Sequence, residues 1–185
     1  MTPLVVLLIV IAALTLFVGF SYNQLVRLRN KVDEAWQDVD VQLQRRHDLV
    51  PKLVEITKGY AAHERAIFDE VARARSEAQA VAGVADRSAP EAKLASVLTS
   101  AVAVVEAYPE LRAAESFLEL QHEIAHTEDE VAAARYIYNG NVRVFNTRIQ
   151  TLPVSLYAEA FGFGPAEFFQ ADLAEKVPSD VKVGG

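Results

Sequence analysis

Cysteine is missing altogether from the 185 residues. Disulfides, thiolate-held metal sites and thiol nucleophiles are therefore excluded, and the redox compartment is left open. Glycine and proline are scarce, at 8 and 7, and no alternating strand pattern or fixed-period repeat is found along the chain. A phosphate-binding loop, a dinucleotide fingerprint and an EF-hand loop are all lacking. Positive charge is short as well: 18 basic residues against 25 acidic give a formal charge of -7, the wrong sign for a protein whose main ligand is a nucleic-acid backbone. What remains is rich in alanine and in apolar residues at helical spacing, and the expected class is all-α.

One more absence organises the chain. Leu4 to Phe20 contains no charged side chain in 17 residues, which at helical rise reaches roughly 26 Å and makes a transmembrane anchor the leading reading. A cleaved signal peptide and a fully buried core helix are its competitors. Against the first, Met1-Thr2-Pro3 offers no basic leader, and Ser21-Tyr22-Asn23 is not a small-residue cleavage site. Against the second, a helix apolar on all sides needs protein around its whole circumference. Arg27, Arg29 and Lys31 flank the run on its C-terminal side before any acidic residue, so the positive-inside bias places the bulk of the chain in the cytoplasm.

From Ser21 to Glu64 the apolar residues Leu25, Leu28, Val32, Trp36, Val39, Leu43, Val50 and Leu53 recur mostly three or four apart, an amphipathic helix continuing out of the anchor. Pro51 lies inside the pattern and predicts a kink, with Gly59 as a second weak point in a helix resuming from Lys52 to Val81. Gly83 to Pro90 reads as a loop, with Ser88 capping a helix that has Pro90 and Glu91 in its first turn and ends near Ala107. Tyr108-Pro109 breaks the chain. Glu110 to about Leu152 reads as one helix, the longest, antiparallel to the strut that leaves the anchor. Within it, Gly140 suggests close helix contact or a local bend. After Pro153 come a short helical piece, a turn through Gly162-Phe163-Gly164-Pro165, and a short helix carrying Phe168 and Phe169. The expected organisation is an anchor over 1–20, a four-helix-bundle-like domain over 21–175 and a flexible tail over 176–185.

Candidate chemistry is sparse. His122-Glu123-Ile124-Ala125-His126 has the spacing at which two imidazoles share a zinc ion and a glutamate serves as general base. No third ligand follows on the chain except the remote Glu159, and no sheet offers a cleft, so an incidental helix face is the stronger reading of His122 and His126. His47 and His63 are isolated. Arg46 falls on the apolar face between Leu43 and Val50, so Arg46 and Asp48 are assigned to a structural polar core in which Arg46 meets a carboxylate from a neighbouring helix, Asp129 or Glu115. A basic pair, Arg45-Arg46, contacting a headgroup or acidic partner is the alternative. Phe161, Phe163, Phe168 and Phe169 form either a plug on the bundle's end or a membrane-surface or partner-docking patch.

Tyr22-Asn23, Arg29-Asn30, Ala35-Trp36, Asp40-Val41-Gln42-Leu43, Arg45-Arg46, Asp48-Leu49-Val50-Pro51 and Lys58-Gly59-Tyr60, followed by Tyr108-Pro109-Glu110-Leu111-Arg112-Ala113, Thr127-Glu128, Tyr138-Asn139, Asn146, Pro153 and Ala160-Phe161-Gly162-Phe163, resemble the LemA family of bacterial membrane proteins. The resemblance extends from about Tyr22 to Phe169. It implies a single-pass anchor followed by a long antiparallel helical bundle, no established catalytic residue, and no required histidine pair at positions 122 and 126; no cofactor is expected. Some members of the family are tied to membrane-organelle formation. The expected role is thus a non-enzymatic scaffold or adaptor in the bacterial inner membrane, touching the lipid bilayer through its N-terminus and a protein partner or second copy through its bundle. A zinc protease and a lipid-sensing module are the alternatives.

Overall fold

The structure, a computed structural model, describes residues 2–58 and 64–169. Helix α1 runs unbroken from Thr2 to Thr57, α2 from Arg65 to Gln79, α3 from Val84 to Glu106, α4 from Pro109 to Arg112 and α5 from Glu115 to Gln150. Two 3-10 turns follow, Val154–Leu156 and Glu159–Phe161. The fold is all-α, with no strand among the described residues. Packing divides it into two compact units. Of the described residues, one comprises those up to Val41 with Ala133–Glu167, the other those from Gln42 to Ala132 with Phe168 and Phe169, so that α1 and α5 each pass through both.

In the first unit, α1 and α5 run antiparallel. The Nδ2 of Asn141 donates to the carbonyl of Lys31 at 3.2 Å, and Tyr138 stacks obliquely on Trp36 with centroids 5.3 Å apart. Leu25, Val32 and Val39 of α1, seven apart, and Val142, Phe145 and Ile149 of α5, three and four apart, are buried, spacings that keep one helix face on the seam. Beyond α5 the chain turns back along it. Gly162, at φ +79°, supplies the left-handed turn, and Asn146 then clamps Ala166, accepting from its N–H and donating to its carbonyl, each at 2.8 Å. Tyr138 donates its hydroxyl to the carbonyl of Glu167 at 2.7 Å.

The second unit is built from five helical segments among the described residues, those of α1 and α5 with α2, α3 and the short α4 between them in sequence. Its core joins Leu49, Leu53, Val71, Leu94, Leu98 and Phe117. Lys52 opposite Glu123 and Arg46 opposite Glu128 show that α1 and α5 are antiparallel here too, and Lys93 with Glu77 ties α3 to α2.

Several boundaries differ from expectation for physical reasons. α1 stays helical across Pro51, where the His47 carbonyl lacks its i+4 N–H donor, and ends at Thr57 instead of running on toward Val81. The stretch expected as a loop, Gly83 to Pro90, is the start of α3: Gly83, at φ +117°, occupies the N-cap, and Ser88 and Pro90 lie inside the helix. A glycine backbone, rather than a side-chain cap, begins that helix. The expected single helix from Glu110 is two, α4 and α5, separated by a turn at Ala113 and Ala114 that lets both Leu111 and Phe117 enter the same core. The longest helix is α1, not α5, because anchor and strut are continuous. Gly140 is exposed, and a Cβ there would meet nothing within 4 Å, so no close contact explains it. Phe163 to Phe169 carry no helix. Gly59, His63 and the 176–185 tail lie outside the described residues.

Candidate functional site

Helical spacing places Leu43, Arg46, His47 and Val50 on one stripe of α1, and all four are buried. Two polar residues therefore enter an apolar seam, and each needs partners. Glu91 on α3, 2% exposed, supplies them. Its Oε2 accepts from Arg46 Nη1 at 3.3 Å, and its Oε1 lies 2.9 Å from His47 Nε2. A second carboxylate comes from α5, where Glu128 Oε2 accepts from Arg46 Nη2 at 2.6 Å. Three helices that share no sequence neighbourhood thus meet at one guanidinium. Such a buried cluster gives little net stability over an apolar one, but it penalises any register in which a charge loses its partner.

The partners differ from those expected. Asp129 and Glu115 are exposed; Glu128 is the α5 residue whose helical position faces α1. Glu91 was assigned to a first turn, yet it extends the α3 stripe of Leu94, Leu98, Ala101 and Val105 by one helical step, and that continuity was the available signal. Asp48 does not belong to the polar core. One residue beyond His47, it is rotated off the buried stripe, is exposed, and accepts from Gln44 Nε2 at 2.9 Å.

The His122–His126 motif lies on the outer surface of α5. Both imidazoles are exposed, and His126 Nε2 stands 3.7 Å from Glu130 Oε1 on its own helix. Glu123, the residue a hydrolase would use as base, accepts from Lys52 Nζ at 2.9 Å, with both side chains more than half exposed. These groups border a cleft of about 420 Å³ with Arg45, Asp48, Leu49 and Thr127. Among the described residues no three histidine or carboxylate side chains are grouped to hold a metal ion. Glu159, the remote third ligand considered above, belongs to the first unit.

The apolar run of α1 is the other candidate region. Its side chains are exposed along its length, from Leu4 at 65% to Phe20 at 74%, and only 6% of the most apolar window is buried. It is long and apolar enough to cross a membrane, and among the described residues none surround it as a core helix would require. Arg27, Arg29 and Lys31 are exposed on the turns that follow. Of the aromatic residues near the end of the chain, Phe163 is buried against Phe145 and Tyr22, whereas Phe161 is about half exposed.

Comparison with known proteins places this arrangement. The model of a family described as the LemA family matches residues 35–183. Magnetosome protein MamQ 2 of Paramagnetospirillum magneticum is 26% identical over 183 residues, which cover 85% of this chain and 67% of that protein. Magnetosome protein MamQ of Magnetospirillum gryphiswaldense shows the same identity and coverage. Protein LemA of Metamycoplasma hominis is 26% identical over 161 residues, covering 85% of this chain and 73% of its own.

Proposed function

The chain belongs to the LemA family, and on that premise we propose that it is a membrane-anchored helical scaffold or adaptor that carries out no reaction of its own. The observation that supports this most is the continuity of α1. One helix holds both an exposed apolar run of membrane-spanning length and, from Leu25 onward, the seam of a helical bundle. A single helix of that kind joins the bilayer to a protein surface with no loop between them. With Arg27, Arg29 and Lys31 on the near side, the bundle faces the cytoplasm of a single-pass protein of the inner membrane. The relatives named as magnetosome proteins are compatible with work at a specialised membrane.

Crosslinking in native membranes followed by mass spectrometry tests the scaffold role. Reproducible adducts through bundle residues, to a partner or to a second copy, are expected. Monomers alone, with nothing copurifying, would contradict it. A zinc-hydrolase reading has the spacing of His122, Glu123 and His126 in its favour, and the Lys52 contact to Glu123 against it. Stoichiometric zinc in the purified protein, together with loss of biological activity in Glu123→Gln, would establish that reading in place of the scaffold.

A further inference from the structure

The first unit leaves three large apolar side chains uncovered near the end of its chain: Leu152 is 70% exposed, Leu156 77% and Phe161 46%. These values match the apolar run of α1, which has lipid to cover it. They are not loosely held. Residues 151–162 form a tight coil closed by Leu156 N–H to the Pro153 carbonyl at 3.2 Å, Ala158 N–H to the Val154 carbonyl at 2.9 Å and Gly162 N–H to the Glu159 carbonyl at 2.9 Å. Val154 and Ala158 are buried beneath it. A rigid coil that buries its small residues and presents its large ones is set up for contact with something outside the chain.

Its position identifies the occupant. Phe161 packs edge-on against Tyr22 with centroids 5.5 Å apart, and Phe163 does the same at 5.6 Å. Tyr22 is two residues past Phe20, the last residue of the uncharged run, hence about 3 Å further along α1. The coil therefore sits within roughly one helical turn of the level at which α1 leaves its apolar stretch. Tyr22, Tyr157 and Phe161 form a small stack there, the mix of aromatic body and polar tip that suits the boundary of a bilayer. Between Thr151 and Gly162 the only charge is Glu159, so little has to be desolvated.

We infer that residues 151–162 are a second membrane contact, with Leu152, Leu156 and Phe161 seated in the headgroup and upper acyl region of the leaflet from which α1 emerges. The inference rests on the anchor reading of α1. A single span fixes depth but leaves tilt and rotation free; a second contact, offset to one side of the span, fixes both.

The absence of cysteine allows single probes to be placed cleanly in the full chain. Leu14→Cys, Leu156→Cys and Ile137→Cys are each labelled with a polarity-sensitive fluorophore and reconstituted into vesicles of phosphatidylethanolamine and phosphatidylglycerol carrying a nitroxide lipid. All three sites are exposed, so the fold is retained and circular dichroism checks it. Ile137 adjoins Tyr138, which packs on Trp36, about 21 Å beyond Tyr22 along α1. Quenching at Leu156 several-fold stronger than at Ile137, with Leu14 also quenched, is the expected result. Quenching at Leu14 but no more at Leu156 than at Ile137 overturns the inference and leaves the anchor standing. No quenching at Leu14 removes the anchor reading and the inference with it. Equal quenching at all three sites, or a Leu156 signal that depends on protein concentration rather than on lipid, overturns it in favour of nonspecific adsorption or a second copy.

Discussion

Removing the carboxylate of Glu91 is the sharpest perturbation of the bundle. In Glu91→Ala, Arg46 loses the 3.3 Å contact and His47 the 2.9 Å contact, while both remain buried at 4% and 1% exposure. Breaking a buried pair by deleting one partner costs about 3–5 kcal/mol. Arg46 keeps Glu128 at 2.6 Å and the Glu91 backbone carbonyl at 3.4 Å, so the lower end applies, about 3 kcal/mol, or roughly a hundredfold in the folding equilibrium. Glu128→Ala should cost less, about 1–2 kcal/mol, because its carboxylate is one-third exposed and Arg46 would retain Glu91. Glu123→Ala is the control: it also removes an α1–α5 ion pair, but between side chains more than half exposed, worth less than about 0.5 kcal/mol. Urea unfolding of the full chain in mild detergent, followed by helical ellipticity, orders the three. The asymmetry of buried pairs adds a fourth variant, since replacing Arg46 by Met and Glu91 by Leu together should destabilise less than Glu91→Ala alone. If Glu91→Ala lies within about 0.5 kcal/mol of the parent, or no lower than Glu123→Ala, the reasoning that these charges are buried and mutually dependent fails.

Burial, reinforced by the charges of Glu167 and Asp33, pushes the Tyr138 phenol up to about 12 from its usual 10.0. The folded state therefore holds this proton more tightly than the unfolded one; the stabilisation is complete below pH 10 and is lost as pH rises from 10 toward 12. Alkaline melts should show that decline, on the order of 2 kcal/mol, and Tyr138→Phe should flatten it while removing the latest phenolate step in absorbance. Asn146→Ala deletes both bonds to Ala166; a loss of about 2 kcal/mol and faster amide exchange at Ala166 are expected, and unchanged exchange would show that the clamp does not hold the returning chain. Gly140→Ala, with open space around the added methyl, should raise stability by about 1 kcal/mol, and a loss in thermal melts would reveal a covered face.

Composition and periodicity alone determined the class of the fold and most of its helical content. The uncharged run, the three-and-four spacing after Leu25 and the scarcity of turn residues are local properties, and helix formation and membrane partition respond to local sums. The stripe of α1 also marked Arg46 as a residue in need of a partner, since facing direction follows from the 3.6-residue period. What spacing does not encode is which helix lies opposite. That Glu91 and Glu128 meet Arg46 while Asp129 does not depends on the rotation of α3 and α5 about their own axes, set by how Leu94, Leu98 and Phe117 fill the shared core. The turn between α4 and α5 and the seating of Phe161 against Tyr22, 139 residues away in the chain, were decided likewise by packing. Long-range contacts are fixed by the shape of the whole core, and no local window of sequence contains it.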